Sequence, residues 1–280
     1  MVKIMKKDML NDTVFRLVLD APLIAKKAKA GQFVILRVCE EGERIPLTIS
    51  DYDRAQGTLS IVVQIVGATT LLLSKKQAGD TLESVVGPLG RPSDTAGLKK
   101  VCVIGGGVGC AIAYPIAKAF FEDGAKVDAI IGFRTQSLVI FENEFKAIPA
   151  RTYLMTDDGT AGEQGFVTQK LKALLDAGEK YDVVFAVGPL PMMKFVAQVT
   201  KEYGVKTIVS MNPIMIDGTG MCGGCRLTVG GKMKFACIDG PDFDAHEVDF
   251  DETIARSRMY DSFEKHAYEE TCNLFKGGDR

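Results

Sequence analysis

Three cysteines, Cys222, Cys225 and Cys237, fall within sixteen residues, and Asp217 precedes the first of them in the run Asp217-Gly-Thr-Gly-Met-Cys222-Gly-Gly-Cys225. Thiolates this close in sequence suit a soft metal or an iron–sulfur centre. Four intervening residues and then two is the plant-type 2Fe–2S spacing, with Asp217 in the first ligand position. The glycines allow a tight loop whose amides turn toward sulfur. A structural zinc lobe is the competing reading, since Cys-x-x-Cys with further ligands also builds zinc knuckles. Against it, zinc's usual sets are four cysteines or cysteine with histidine, and neither His246 nor His266 has finger spacing. Asp217 could also cap an Asp-Gly turn, leaving the fourth position to water or to the distant Cys272.

A second chemistry is written in glycine. Val101-Cys-Val-Ile-Gly-Gly-Gly-Val-Gly-Cys-Ala111 sets a hydrophobic strand before a glycine-rich turn that opens a helix. Such a turn lets backbone approach a pyrophosphate at the helix N-terminus, although glycine-rich turns also serve packing alone. A further turn, Val187-Gly188-Pro189-Leu190-Pro191-Met192-Met193, again lies between a strand and a helix. Upstream, Arg44-Ile-Pro-Leu-Thr48-Ile-Ser50 joins a cation, a rigid turn and a hydroxyl. Arg44 could pair a phosphate and Thr48 could hydrogen-bond a planar heterocycle; the plain alternative is a strand with a solvated arginine.

These residues need a frame. Residues 1–97 show short β-rich runs, such as Val14–Leu19, Phe33–Val38 and Leu59–Val66, with one helical stretch at Thr70–Gln77, the pattern of an antiparallel barrel or sandwich. Residues 98–210 alternate strand and helix, which implies βαβ units on a parallel sheet. Residues 211–280 form a glycine- and cysteine-rich lobe followed by a helix near Asp249–Asn273. The apolar stretch Val101–Phe121 approaches membrane-spanning length, but its glycines and Pro115 make it a strand, a turn and a helix, so no membrane insertion is expected. Lys and Arg number 34 against 36 Asp and Glu, leaving no basic field for nucleic acid. Seven cysteines, three of them clustered, and an N-terminus without a secretory pattern point to a reducing, cytoplasmic setting.

With the three segments in this order, the sequence resembles the ferredoxin–NADP reductase-like flavoproteins that carry a C-terminal 2Fe–2S cluster. Within them it is similar to the small subunits of electron-bifurcating NADH-dependent reduced ferredoxin:NADP oxidoreductases and, more distantly, to dihydroorotate dehydrogenase electron-transfer subunits. The resemblance implies an antiparallel β-barrel FAD domain, an α/β nucleotide domain and a cluster lobe. It implies FAD, NAD(H) and a 2Fe–2S cluster as cofactors, and a larger flavin and iron–sulfur subunit as partner in a heterodimer. Matched by position, Pro46, Leu47 and Thr48 would contact the flavin, Val63, Gln64 and Ile65 would lie along the FAD, and Thr69 and Thr70 would start the helix at its pyrophosphate. Gly106, Gly107, Val108, Arg134, Gly188 and Met192 would form the nucleotide site. Asp217, Cys222, Cys225 and Cys237 would hold the cluster. The family's usual arginine falls at Ile45, and here the arginine is Arg44. After the second strand of the α/β region, Ile130-Ile-Gly-Phe-Arg134 supplies no acid for a ribose hydroxyl, and Arg134 could meet a 2′-phosphate. The preference for NAD(H) therefore follows from the resemblance alone. No nucleophile, carboxylate pair or catalytic histidine stands out, as expected where cofactors carry the chemistry.

Overall fold

The structure, a computed structural model, describes residues 1–148 and 151–277, with side chains as far as residue 271; Cys272 lies outside the described side chains. The first region contains β1 (Val2–Met9), β2 (Val14–Asp20), α1 (Pro22–Lys27), β3 (Phe33–Arg37), β4 (Arg44–Asp53), β5 (Thr58–Gln64), α2 (Ala68–Lys75), β6 (Thr81–Leu82) and β7 (Ser84–Leu89). Its seven strands form one antiparallel sheet, ordered β6-β1-β2-β5-β4-β3-β7 and curled into a nearly closed barrel. Alternation drives the closure: Phe15, Leu17 and Leu19 of β2 and Leu59, Ile61 and Val63 of β5 are all buried, and their in-between neighbours face outward or a second layer. Each such side chain contributes roughly 1.5–3 kcal/mol on burial.

The second region runs β8 (Lys100–Gly106), α3 (Cys110–Glu122), β9 (Lys126–Phe133), α4 (Glu142–Ala147), β10 (Arg151–Thr156), β11 (Glu163–Gln164), α5 (Val167–Asp176), β12 (Val183–Val187), α6 (Leu190–Glu202) and β13 (Thr207–Ser210). β8, β9 and β12 are mostly apolar and buried on both faces, as strands of a helix-covered parallel sheet are, with the buried Asp128 of β9, paired with Arg151, as a charged interruption. The order β11-β10-β9-β8-β12-β13 reverses direction between β8 and β12. Their carboxyl ends therefore splay helices to opposite sides and open a crevice.

The third region holds β14 (Arg226–Val229), β15 (Lys232–Phe235), α7 (Ala236–Asp239), β16 (Asp242–Asp244), α8 (Phe250–Ser257) and α9 (Asp261–Gly277). It is not a mere appendage: β16 returns to the parallel sheet and adds antiparallel to β13, pairing Ser210 with Asp242. The single terminal helix expected over Asp249–Asn273 is two helices. The amides of Arg258 and Met259 bond the carbonyls of Ala255 and Arg256, tightening the last turn of α8 and ending it. α8 packs on α6, and α9 packs on α2 of the barrel. No described helix is long and apolar enough to cross a membrane.

Candidate functional site

A cleft of about 1010 Å³ opens between the barrel and the carboxyl ends of the parallel strands. From the barrel, Pro46, Leu47 and Thr48 of β4 and Gln64 of β5 line it; from the sheet come Gly106, Gly107, Val108, Arg134, Gly188 and Met192. Ten of the residues singled out by sequence thus share one wall-to-wall space.

Glycine has two distinct jobs here. A Cβ on Gly106 would come 2.4 Å from Met192 Sδ, one on Gly188 2.8 Å from Met192 Cε, and one on Gly109 2.6 Å from the Val187 carbonyl oxygen, so these three let the two turns interlock. Gly107 differs: its φ is +55° and a Cβ would meet nothing within 4 Å, because it faces the open cleft. The N-termini of α3, α5 and α6 all reach this space through Gly107–Gly109, Phe166–Thr168 and Pro189–Met192. Three convergent helix N-termini direct partial positive charge toward a polyanion such as a pyrophosphate. Arg134 and Asp157, at the ends of β9 and β10, are the charged residues among the described lining, and Asp157 was not foreseen. Nor were Phe166–Thr168 and Ser210–Pro213, which no motif marks.

Other expected contacts stand off the cleft. Val63 is inside the barrel core and Ile65 packs on that core. The Thr69 hydroxyl donates to the Glu43 carboxylate, and Thr70 Oγ1 accepts from the amides of Val66 and Gly67 at 3.0 Å, capping α2. Arg44 reaches across to the cluster loop, its Nη2 donating to the Asp217 carbonyl at 3.4 Å.

That loop is seated on the barrel. Gly218 has φ +79°, and a Cβ there would meet Leu89 at 2.8 Å and Ile35 at 2.9 Å. Asp217 Oδ1 accepts from the Thr219 hydroxyl and amide, and Oδ2 from the Cys222 amide at 3.2 Å. These bonds, the Thr219 hydroxyl foremost, hold its carboxyl below the usual range. Gly224 N and Cys237 N point at the sulfurs of Cys222 and Cys225, each at 3.5 Å. Burial, then the hydrogen bond with Cys225, pushes the Cys237 thiol up to about 12. The four groups fall in two pairs, Asp217 with Cys222 and Cys225 with Cys237. Among the described residues no three His, Cys, Asp or Glu close around a single ion. Two pairs of donors with amides aimed at sulfur fit a binuclear cluster.

Fold and site together define an electron-transfer oxidoreductase subunit on a ferredoxin reductase-like scaffold, with a nicotinamide-nucleotide domain and an iron–sulfur domain. Residues 103–198 match the oxidoreductase NAD-binding domain, and 212–249 match the iron–sulfur cluster binding domain of dihydroorotate dehydrogenase B. The chain belongs to the family of dihydroorotate dehydrogenase B electron-transfer subunits and their homologues. It is 48% identical, over 95% of its length and 94% of the relative's, to the "dihydroorotate dehydrogenase B (NAD(+)), electron transfer subunit homolog" of Thermotoga maritima. It is 35% identical, over 88% and 96%, to the electron transfer subunit of that enzyme from Geobacillus thermodenitrificans. Among solved structures, a chain of the NADH-dependent reduced ferredoxin–NADP oxidoreductase, described with flavin-based electron bifurcation, superposes with a TM-score of 0.91 at 46% identity over 96% of each chain. An Amycolatopsis cytochrome P450 reductase, at 22% identity and a TM-score of 0.60 over 72% and 65%, shares the fold.

Proposed function

We propose that this chain takes electrons from NADH through FAD in the cleft to a 2Fe–2S cluster, and passes them to a larger flavin and iron–sulfur subunit in a cytoplasmic ferredoxin:NADP bifurcating heterodimer. Residues 1–97 would hold FAD, 98–210 the nucleotide, and 211–280 the cluster. When bound, the flavin accepts a hydride and gives up its electrons singly, the conversion that links a nicotinamide to an iron–sulfur cluster.

The chain's own residues bind and align. Thr48 offers a hydroxyl, and Pro46 and Leu47 a rigid apolar edge, on the barrel side of the cleft. Gly107 leaves room for phosphates before the α3 N-terminus, and Met192 covers the second turn. Asp217, Cys222, Cys225 and Cys237 are the proposed cluster ligands. Arg44, bonded to the Asp217 carbonyl, fixes the loop to β4, a role in place of an FAD phosphate contact.

One observation carries the reading: the same barrel strands floor both sites. Phe33 and Thr48, paired between β3 and β4, line the cleft, while Ile35, two residues from Phe33, is what Gly218 of the cluster loop rests upon. The test is a visible spectrum of anaerobically purified protein with iron and zinc analysis, followed by NADH. Flavin and cluster bands bleached by NADH support it. A yellow protein with zinc and no cluster absorbance would make it a free-standing flavin reductase, and NADH binding without oxidation would make it a regulatory module.

A further inference from the structure

Just behind the cleft wall lies a carboxylate that the reading above leaves unused. Asp242 opens β16 beside Pro241, and its sheet partner Ser210 lines the cleft with Pro241. The residue as a whole is half-buried, yet its carboxyl is enclosed. Oδ2 accepts from the Ser93 hydroxyl at 2.5 Å, the Ser210 hydroxyl also faces the group, and Oδ1 is buried with no hydrogen-bond partner among the described residues. A buried unpaired carboxylate oxygen is costly and calls for a reason.

Among the described residues no cation is paired with this carboxyl. On the linker between barrel and sheet, Arg91 Nε donates to the Ile238 carbonyl at 3.0 Å, and Asp94 accepts from the Ala96 amide at 3.4 Å. On β16 itself, Asp244 accepts from the His246 amide at 2.9 Å. From the barrel, the neutral Gln32 side chain donates to the Gly90 carbonyl. Burial accordingly pushes the Asp242 carboxyl up to about 7, against the downward pull of the two serine hydroxyls. The group stands near the flavin end of the cleft, since a Cβ on Gly90 would touch both Phe33, the strand partner of Thr48, and Pro241.

We propose that Asp242 holds the proton left in the cleft when hydride-borne electrons depart one at a time, receiving it through Ser210. The proposal rests on the flavin and cluster reading of the two sites. A hydride brings two electrons and one proton, whereas an iron–sulfur cluster takes electrons only. For each hydride whose electrons pass on, one proton is left over. It bonds to the Ser210 oxygen as that hydroxyl's own proton passes to the Asp242 carboxylate, one O–H bond forming as another breaks. From the carboxyl it leaves by the Ser93 hydroxyl toward solvent at the linker. Asp242 acts through Ser210 and is thus a positioning and proton-holding residue.

The experiment uses the loaded full chain. Redox difference infrared spectra of the parent should contain a protonated-carboxyl stretch that shifts in D2O. That band should vanish in Asp242→Asn and survive in Asp242→Glu. Stopped-flow reoxidation by a one-electron acceptor should slow on the order of 10²-fold in Asp242→Asn, the scale of positioned acid–base groups, with its pH profile flattened around neutrality. If Asp242→Asn fails to fold, Ser210→Ala serves: the carboxyl band should drop out of the redox difference spectrum while a pH difference spectrum of the same variant still shows the Asp242 carboxyl. With flavin and iron at the parent's level, a persistent redox-linked band in Asp242→Asn, or an unchanged pH profile, overturns the proposal alone. A parent lacking flavin and iron overturns the underlying reading and the proposal with it.

Discussion

Asp217 sits where a plant-type cluster would have its first thiolate, and its carboxylate already serves the loop by accepting from Thr219 and Cys222. A carboxylate has about four lone-pair positions, so these bonds leave capacity for a metal. A hard oxygen ligand should give the cluster a potential unlike that of a thiolate. Asp217→Cys is expected to keep the cluster with a shifted potential and an altered paramagnetic signal, and Asp217→Ala to make it labile. Iron content, redox titration and electron paramagnetic resonance check this; parent values in both variants would make Asp217 a turn residue only. Gly107 is tested differently. Gly107→Ala forces an L side chain into the left-handed region at a cost of about 1–2 kcal/mol, and sets its methyl in the cleft. The expected outcome is a raised KM for NADH with a modest loss of stability, measured by steady-state kinetics and urea unfolding. An unchanged KM would mean the turn only packs.

Between elements, the sharpest dependence is of the cluster loop on the barrel. In Gly218→Ala the added Cβ must displace Leu89 of β7 and Ile35 of β3 while φ stays positive, so the loop should lift. Iron retention is expected to fall and flavin content to hold, read from iron assay and flavin release; retention of both would show that the loop adapts. Much of this framework was legible in sequence because burial leaves a period. β8 and β12 are nearly unbroken apolar runs each followed by a helix, β9 is broken by Asp128, and β2 and β5 alternate. β1 shows no clean alternation, because adjacent Lys6 and Lys7 point to opposite faces and Lys7 is held by the carbonyls of Ser74 and Lys76, and β16 is a three-residue strand just after Gly240-Pro241. At the cleft, the glycine turns and the Thr48 hydroxyl stand out by local chemistry, whereas Pro46 and Leu47 are marked by the family resemblance. Asp157, Ser210 and the α5 N-terminus do not stand out, because sheet order alone delivers them to the cleft. Arg44 and Thr69 hydrogen-bond to Asp217 and Glu43, partners far away in sequence that no local pattern announces.

At the scale of the whole molecule, barrel, parallel sheet and cluster lobe meet where the linker crosses β16, and they share one core in which Phe33 and Ile35 pack with Met211, Cys225, Cys237 and Phe243. The linker is fastened there by the Arg91 amide on the Gly240 carbonyl at 2.7 Å and by Ser93 on Asp242. That junction should give the protein an unusual dependence on pH. At the opposite end of the sheet, Arg151 and then Lys100 hold Glu179 at about 2, so its contribution is present above the ordinary glutamate range and is lost as pH falls through the folded value. Asp242 has the other sign. Its folded value of about 7 lies above the ordinary 3.8, so the unfolded chain releases this proton first. Its carboxyl favours the folded state fully below about 4, and that advantage drains away as pH rises to about 7, reaching roughly 4 kcal/mol. Asp242→Asn removes this one titration and leaves Glu179 as it was. The stability difference, variant minus parent, should therefore grow from about pH 4 to pH 7 and level off above, with the variant relatively more stable at the alkaline end. Urea unfolding at several pH values measures it. A difference that stays flat across this range would show that the Asp242 carboxyl ionises as a solvated aspartate does, and that the junction is held by packing and the linker hydrogen bonds alone.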